Sequence, residues 1–564
     1  MMLVLFFVIG VSSALGSNAD PVVQISSGKI RGKILENFYG NSFYAFQGIP
    51  YAKAPVGELR YQPPQRPDNW EGILDDRNAN TICIQLTSTQ LPNESEDCLF
   101  LHVYTPQLPS KDNNVSLPVV YVVHGGAFVE GSALIDSFGP DLMMDYGVIM
   151  VVVQYRLGFF GFLSTGDLAC PGNNGLKDQQ FGLRWVQENI RHFGGDPTRV
   201  TLFGQSAGAA SVSYQTLAKN SEGLFRSVIQ NSGSALVTWS LQRYPREIAY
   251  RIANQINSNV NESYTTTDLM NFYKTVEVCQ VKKACVDIFG EGLVASFFLT
   301  GLGYLLAGVI EPEHDGAFLT ETAYNKYESG RFNAVPTLMG MNSEESIFII
   351  LDNNFQNELQ DRDENPSLLT STDMHITDEA ISNKVGSDIK RMYVGDGKLC
   401  GNLGPSIRMF SEIGFGKPLL KQVQLHSKFS DVYLYEFAYS GSLGREAYPF
   451  AYIPGAEKVT HGEEMLYIFV TKATKDLSKY PEKDIITLRR TLTMWTNFVK
   501  FMNPTPEPSE LLGNKVWPKV TSTDKIPYLY IDETLDIKYN LKQSMVDEYH
   551  RLYSTYAVPP LDTY

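Results

Sequence analysis

The sequence predicts an α/β fold in which a central, mostly parallel sheet is flanked by helices in a single large domain. Three observations carry this expectation. Short apolar runs alternate with helical patterns along the chain, which implies parallel strands covered on both faces. The 564 residues are 43% hydrophobic and 19% charged, which excludes disorder as the main state. No repeat, low-complexity tract or Pro/Gly/Ser linker divides the chain. Taken in order, residues 119–123 and 148–154 are β-branched runs of the kind buried on both sides. Residues 178–193 read as a helix whose apolar face is Phe181, Leu183, Trp185, Val186 and Ile190. Residues 200–203 form the next strand, and residues 207–212 open another helix. Runs at 227–230, 336–339 and 432–437 continue the alternation. Ligands of such sheets bind beyond the carboxyl ends of the strands, so polar motifs are sought there.

A net charge of −15 argues against nucleic acid as a partner, since phosphate backbones need basic patches. Residues 1–16 are an apolar stretch too short to span a bilayer, with Ala14 and Gly16 placed for cleavage after Gly16. A signal peptide over 1–16 and a mature domain over 17–564 are expected, although Lys and Arg are absent from the leader. Sequons at Asn93, Asn114 and Asn261 agree with export. Cys83 and Cys98 would close a loop of about 15 residues, worth about 3 kcal/mol in the chain-entropy model. Cys279 and Cys285 would close a smaller one, and Cys170 and Cys400 are left either paired or free. The uncharged stretch 293–310 imitates a membrane span, but its glycines and acidic flanks favour a buried helix and loop. The last residues show neither a lipid-anchor tail nor an ER-retention tetrapeptide. A secreted protein without integral membrane association is expected.

Gly204-Gln205-Ser206-Ala207-Gly208 fits a nucleophile elbow, in which glycines flank a serine on a strand-to-helix turn too tight for other side chains. An apolar strand precedes it, and the following helix brings N–H groups and positive dipole to the serine oxygen. His124-Gly125-Gly126-Ala127 follows another strand. Its consecutive glycines can aim N–H groups into one cavity, so Gly125, Gly126 and Ala207 are the expected oxyanion donors. Eight histidines compete as base. His102 reads as a strand position and His192 precedes the serine. His314 has carboxylate neighbours but no second His or Cys to complete a metal site. His461 follows Ser206 in a loop near the C-terminal end, as the chain order Ser, acid, His requires. The acid falls just past the strand at 336–339, on Glu344 or Glu345, between which spacing does not choose.

With these motifs the sequence resembles the type-B carboxylesterase/cholinesterase family of α/β-hydrolases over nearly the whole mature chain. The markers are Phe46-Gln47-Gly48-Ile49-Pro50-Tyr51-Ala52, Ser95-Glu96-Asp97-Cys98-Leu99 and Tyr155-Arg156-Leu157-Gly158. Pro171-Gly172-Asn173-Asn174-Gly175-Leu176 with Asp178-Gln179, and Phe193-Gly194-Gly195-Asp196-Pro197, follow in order. The resemblance implies Glu345 as the acid, His461 as the base, and disulfides Cys83–Cys98 and Cys279–Cys285. It also implies a serine esterase that needs no metal or cofactor and acts on a small-molecule ester. Residues 81–96 lack the tryptophan with which cholinesterases hold a quaternary ammonium, which disfavours choline esters. Adhesion members such as neuroligin-like proteins lose the nucleophile, whereas Ser206 is present here. The pattern is similar to secreted insect esterases. Gln205 resembles the juvenile hormone esterases, but Lys458 stands where they usually have glycine. A neutral, hydrophobic ester in an aromatic-lined gorge is expected, with 31 Tyr and 31 Phe available. Two rival readings are a binding protein with a relic triad and a lipase that needs an interface.

Overall fold

The structure is a computed structural model that describes residues 20–564 apart from 88–90, 290–305, 472–473 and 475. Its main sheet has eleven strands. In chain order these are β1 (Lys33–Glu36), β2 (Ser42–Pro50), β3 (Phe100–Thr105), β4 (Leu117–Val123), β5 (Ile149–Val153) and β6 (Gly195–Gln205). They continue as β7 (Ser227–Asn231), β8 (Thr337–Asn342), β9 (Val432–Phe437), β10 (Pro527–Ile531) and β11 (Leu535–Tyr539). The spatial order is β11-β10-β9-β8-β7-β6-β4-β5-β3-β2-β1. From β5 to β10 every neighbouring pair is parallel, while β1, β2, β3 and β11 add antiparallel edges.

The central strands are apolar without interruption because both of their faces are packed. In β4, Val119, Tyr121 and Val123 join one core, and Val120 and Val122 join the other. In β5, Ile149, Val151 and Val153 alternate in the same way with Met150 and Val152. Each such side chain contributes about 1.5–3 kcal/mol of apolar burial. The first face is covered by α1 (Asn174–Asn189) and α2 (Ala207–Leu217), the second by α3 (Glu482–Phe501).

Several boundaries differ from the sequence expectation, and two of the differences bear on the layout of the sheet and its helices. Helix α1 starts at Asn174 rather than 178, because Asn173 turns left-handed (φ 57°) and is tied by its Nδ2 to Val309 O and Glu311 Oε1. Glu311 also pairs with buried Lys177, so a contact distant in sequence sets where the helix begins. Strand β6 is longer than 200–203, with a register shift against β4 between Gly195 and Val200.

Cys83 and Cys98 form the disulfide. Cys279 and Cys285 do not, which corrects the pairing expected for them. Both lie on the helix Val278–Phe289, Cys279 exposed and Cys285 buried. Six residues along a helix separate them by about 9 Å and turn them about 120° apart, beyond disulfide reach. Cys170 and Cys400 are also free thiols. The leader and most of 293–310 lie outside the described residues. Among the described residues no helix is long and apolar enough to cross a membrane.

Candidate active site

The polar residues expected from sequence meet at the carboxyl ends of β4, β6, β7 and β8. At the end of β6 the chain turns directly into α2, and Ser206 takes φ 59°, ψ −126°, a strained conformation for a residue with a Cβ. The elbow has no room beside the serine. A Cβ on Gly204 would lie 2.1 Å from Gly208 O, and one on Gly208 would lie 2.2 Å from Val123 O. The Ser206 N–H donates to Asn231 O at 2.9 Å, which anchors the turn to β7.

The loop after β4 is held by its carbonyls, and that orients its N–H groups. Tyr155 Oη donates to His124 O at 2.8 Å, so the Gly125 N–H points the opposite way across the trans peptide. His124 lies 2.8 Å through Nδ1 from Gly125 O, which turns the Gly126 N–H outward as well. Burial pushes this imidazole down to about 4, so it is neutral and donates from Nδ1. Ser206 O accepts from Ala210 N at 3.0 Å, which points the Ala207 N–H away from the helix. A Cβ on Gly125 would stand 3.0 Å from the Ser206 Cβ, so this loop and the elbow are in close contact.

Glu345 lies just past β8 and is buried. Its Oε1 accepts from Ser232 Oγ and from Asn342 N, both at 2.6 Å, and its Oε2 lies 2.6 Å from His461 Nδ1. The His461 N–H also donates to Glu345 O at 3.1 Å, fixing the histidine loop to the acid's backbone. Glu344 is turned elsewhere. It accepts from Glu457 N at 2.9 Å and lies 3.5 Å from Arg408, while burial raises its carboxyl. The two adjacent carboxylates that spacing could not separate are thus separated by their contacts.

Four features of this region escaped the sequence reading. Ser232, left-handed (φ 57°) just past β7, supplies a hydroxyl to Glu345. Glu464 is fully buried and accepts from Asn342 Nδ2 at 2.6 Å; burial, then the Glu345 charge, push it up to about 7. Its neighbour Glu463 is pushed up to about 8, mainly by burial. Their position two and three residues past a loop histidine was the available signal. The fourth feature is a π-turn, Glu412–Gly416, between the helices Leu403–Ser411 and Lys417–His426. Pro418 has no N–H to offer the Gly414 carbonyl four residues back, and Trp239 Nε1 donates to that oxygen at 2.9 Å. The bulge places the Phe415 ring 4.6 Å from that of His461, with Phe348 at 5.8 Å, and Trp239 meets Phe415 edge-on and Phe128 at a tilt.

A cavity of about 350 Å³ opens beside the histidine loop, lined in part by Ile347, Tyr448, Phe450, Lys458 and Glu463. The remaining histidines are placed elsewhere. His102 in β3 accepts from Gly48 N at 3.1 Å, His192 is exposed, and His314 faces its own loop carbonyl at Pro312. Among the described residues no group of three His, Cys, Asp or Glu side chains is placed to hold a metal ion. The sequon asparagines Asn93, Asn114 and Asn261 are all exposed.

The carboxylesterase family model matches residues 19–549. Esterase FE4 of Myzus persicae is 32% identical over 525 residues, covering 91% of this chain and 90% of its own. A carboxylic ester hydrolase of Bombus ignitus is 33% identical over 438 residues, covering 74% and 75%. The crystal structure of juvenile hormone esterase from Manduca sexta, with OTFP covalently attached, has a TM-score of 0.81 at 26% identity. It covers 95% of this chain and 100% of its own.

Proposed function

The chain belongs to the carboxylesterase family and is a carboxylic ester hydrolase of the α/β-hydrolase fold; from this we propose that it cleaves neutral, hydrophobic esters outside the cell through an acyl intermediate on Ser206. The observation that carries the reading is the 2.6 Å contact of His461 Nδ1 with buried Glu345, on the loop that meets the serine elbow. Glu345 keeps the proton on Nδ1 and leaves Nε2 as the base. The base takes the Ser206 proton as Oγ attacks the ester carbonyl, and the N–H groups of Gly125, Gly126 and Ala207 hold the oxyanion. The imidazolium then gives its proton to the departing alcohol. Water, activated by the same imidazole, releases the acid and restores the serine.

Phe348 and Phe415 lie against His461, and Trp239 and Phe128 continue the aromatic run from Phe415, which suits a hydrophobic ester. A juvenile-hormone-type ester is the finer alternative, supported by Gln205 and by the structural likeness to the Manduca enzyme. A panel of acetate, juvenile-hormone-type and long-chain glyceride esters separates the substrate readings.

The mechanism is tested with diisopropyl fluorophosphate and mass spectrometry of the peptide containing Ser206. The expected result is one phosphoryl adduct on that peptide, with parallel loss of p-nitrophenyl acetate hydrolysis. Ser206→Ala is expected to lower kcat on the order of 10⁶-fold. A folded wild type that hydrolyses esters without labelling at Ser206 overturns the mechanism.

A further inference from the structure

We propose that Gln205 is a positioning residue that holds the resting imidazole by its basic nitrogen until the serine hydroxyl takes that nitrogen over; this rests on the serine mechanism above. The Gln205 carboxamide nitrogen lies 3.1 Å from His461 Nε2. Glu345 accepts the proton on Nδ1 at 2.6 Å, so Nε2 presents its lone pair and the carboxamide N–H is the donor. The atom that must receive the serine proton is therefore already hydrogen bonded.

The carboxamide cannot easily leave this place. Its Oε1 lies 2.8 Å from where a Cβ on Gly125 would stand, and its Nε2 lies 3.4 Å from the same point on Gly462. It fills the space between the oxyanion loop and the histidine loop. Glycine at 125 is what admits it, while a side chain at 462 would only touch it, glycine there being suited to the left-handed backbone (φ 78°).

An N–H donor facing Nε2 stabilises the neutral ring and opposes the imidazolium. A carboxylate in the same place would accept a hydrogen bond from a protonated Nε2 instead of donating one to it, and so favour the imidazolium. The titratable groups near the ring include, among the described residues, Glu345 on Nδ1, Glu464 and Glu463 on the turn that follows, Tyr448 against Gly462, Glu344 next to the acid in sequence, and Lys458 at the cavity rim. Among the described residues, the group hydrogen bonded to Nε2 is Gln205. When the ester arrives, the serine hydroxyl must take over Nε2, so the carboxamide has to yield one hydrogen bond in each acylation.

The experiment compares wild type, Gln205→Glu and Gln205→Ala through the pH profile of kcat/KM on p-nitrophenyl acetate. The pH dependence of inactivation by diisopropyl fluorophosphate is read in parallel. A carboxylate accepts where the carboxamide donates, so the acid limb of Gln205→Glu is expected to move up by about 1 pH unit or more in both assays. Gln205→Ala only loses the donor, and its limb is expected to move the same way by less. Superimposed limbs in wild type and in whichever variants fold overturn the proposal while leaving the serine mechanism in place. A wild type that neither hydrolyses the ester nor takes the label overturns the mechanism itself.

Discussion

At the scale of single residues, the site is a set of short polar contacts inside an apolar shell. Glu345 carries three of them, to Ser232, Asn342 and His461. Glu464 has one, from Asn342, and its carboxyl is held up to about 7 by burial and by the Glu345 charge. A carboxyl whose folded value is raised binds its proton more tightly than in the unfolded chain. Its stabilising contribution is therefore complete below about 4.5 and is lost as pH rises through about 7. The melting temperature is expected to fall between those values, and Glu464→Gln, which cannot ionise, should make the fall shallower. Equal slopes in the two proteins would show that Glu464 does not titrate there. Ser206 and the glycine pairs were legible as candidates because their spacing follows from strand–turn–helix geometry, His461 because of the chain order, and Glu345 only as one of two adjacent carboxylates until the family resemblance singled it out. Ser232 and Glu464 were not, since a lone serine after a strand and a Glu-Glu pair carry no pattern of their own.

At the scale of elements, buried ion pairs join the helices to the strand ends. Arg156, just past β5, makes a bidentate contact with Asp178 in α1 at 2.7 Å through Nε and Nη2, and its N–H also reaches Asp178 Oδ2 at 3.1 Å. Both side chains are almost wholly inaccessible, at 3% and 0% exposed, so removing one partner strands the other charge out of water. Arg156→Ala is expected to cost about 3–5 kcal/mol, read as a lowered urea midpoint. Adding Asp178→Asn should recover part of that loss, and a midpoint unchanged in the single variant would mean water reaches the pair. Strand existence was legible here, as at 432–437, because continuous β-branched and aromatic runs fit two buried faces. Helix starts and the π-turn were less so. Asn173 begins α1 through contacts to Val309 and Glu311, and the turn at 412–416 depends on Trp239 reaching Gly414 from another part of the chain.

At the scale of the whole molecule, export predicts what the mature protein carries. Expressed in insect cells, it is expected in the medium with its first residue at Ser17. Asn93, Asn114 and Asn261 are all on the surface, so treatment with an N-glycosidase should lower its mass. Retention in the cell with an intact leader, or an unchanged mass, would refute export or glycosylation respectively. The sequence by itself determined the α/β architecture and singled out the Gly204–Gly208 turn, the His124–Ala127 loop and the chain order Ser206, Glu344 or Glu345, His461 as candidates. Periodicity and glycine placement are local properties, written within a few residues. Only the tertiary structure decided which contacts hold Glu344 away from the imidazole, that Cys279 and Cys285 share one helix and stay apart, and that Gln205 bridges two loops. The carboxylate and glutamine contacts depend on where side chains arrive across separations of 113 to 256 residues, which the period of a helix or strand does not span, whereas the two cysteines are held apart by the helix that carries both.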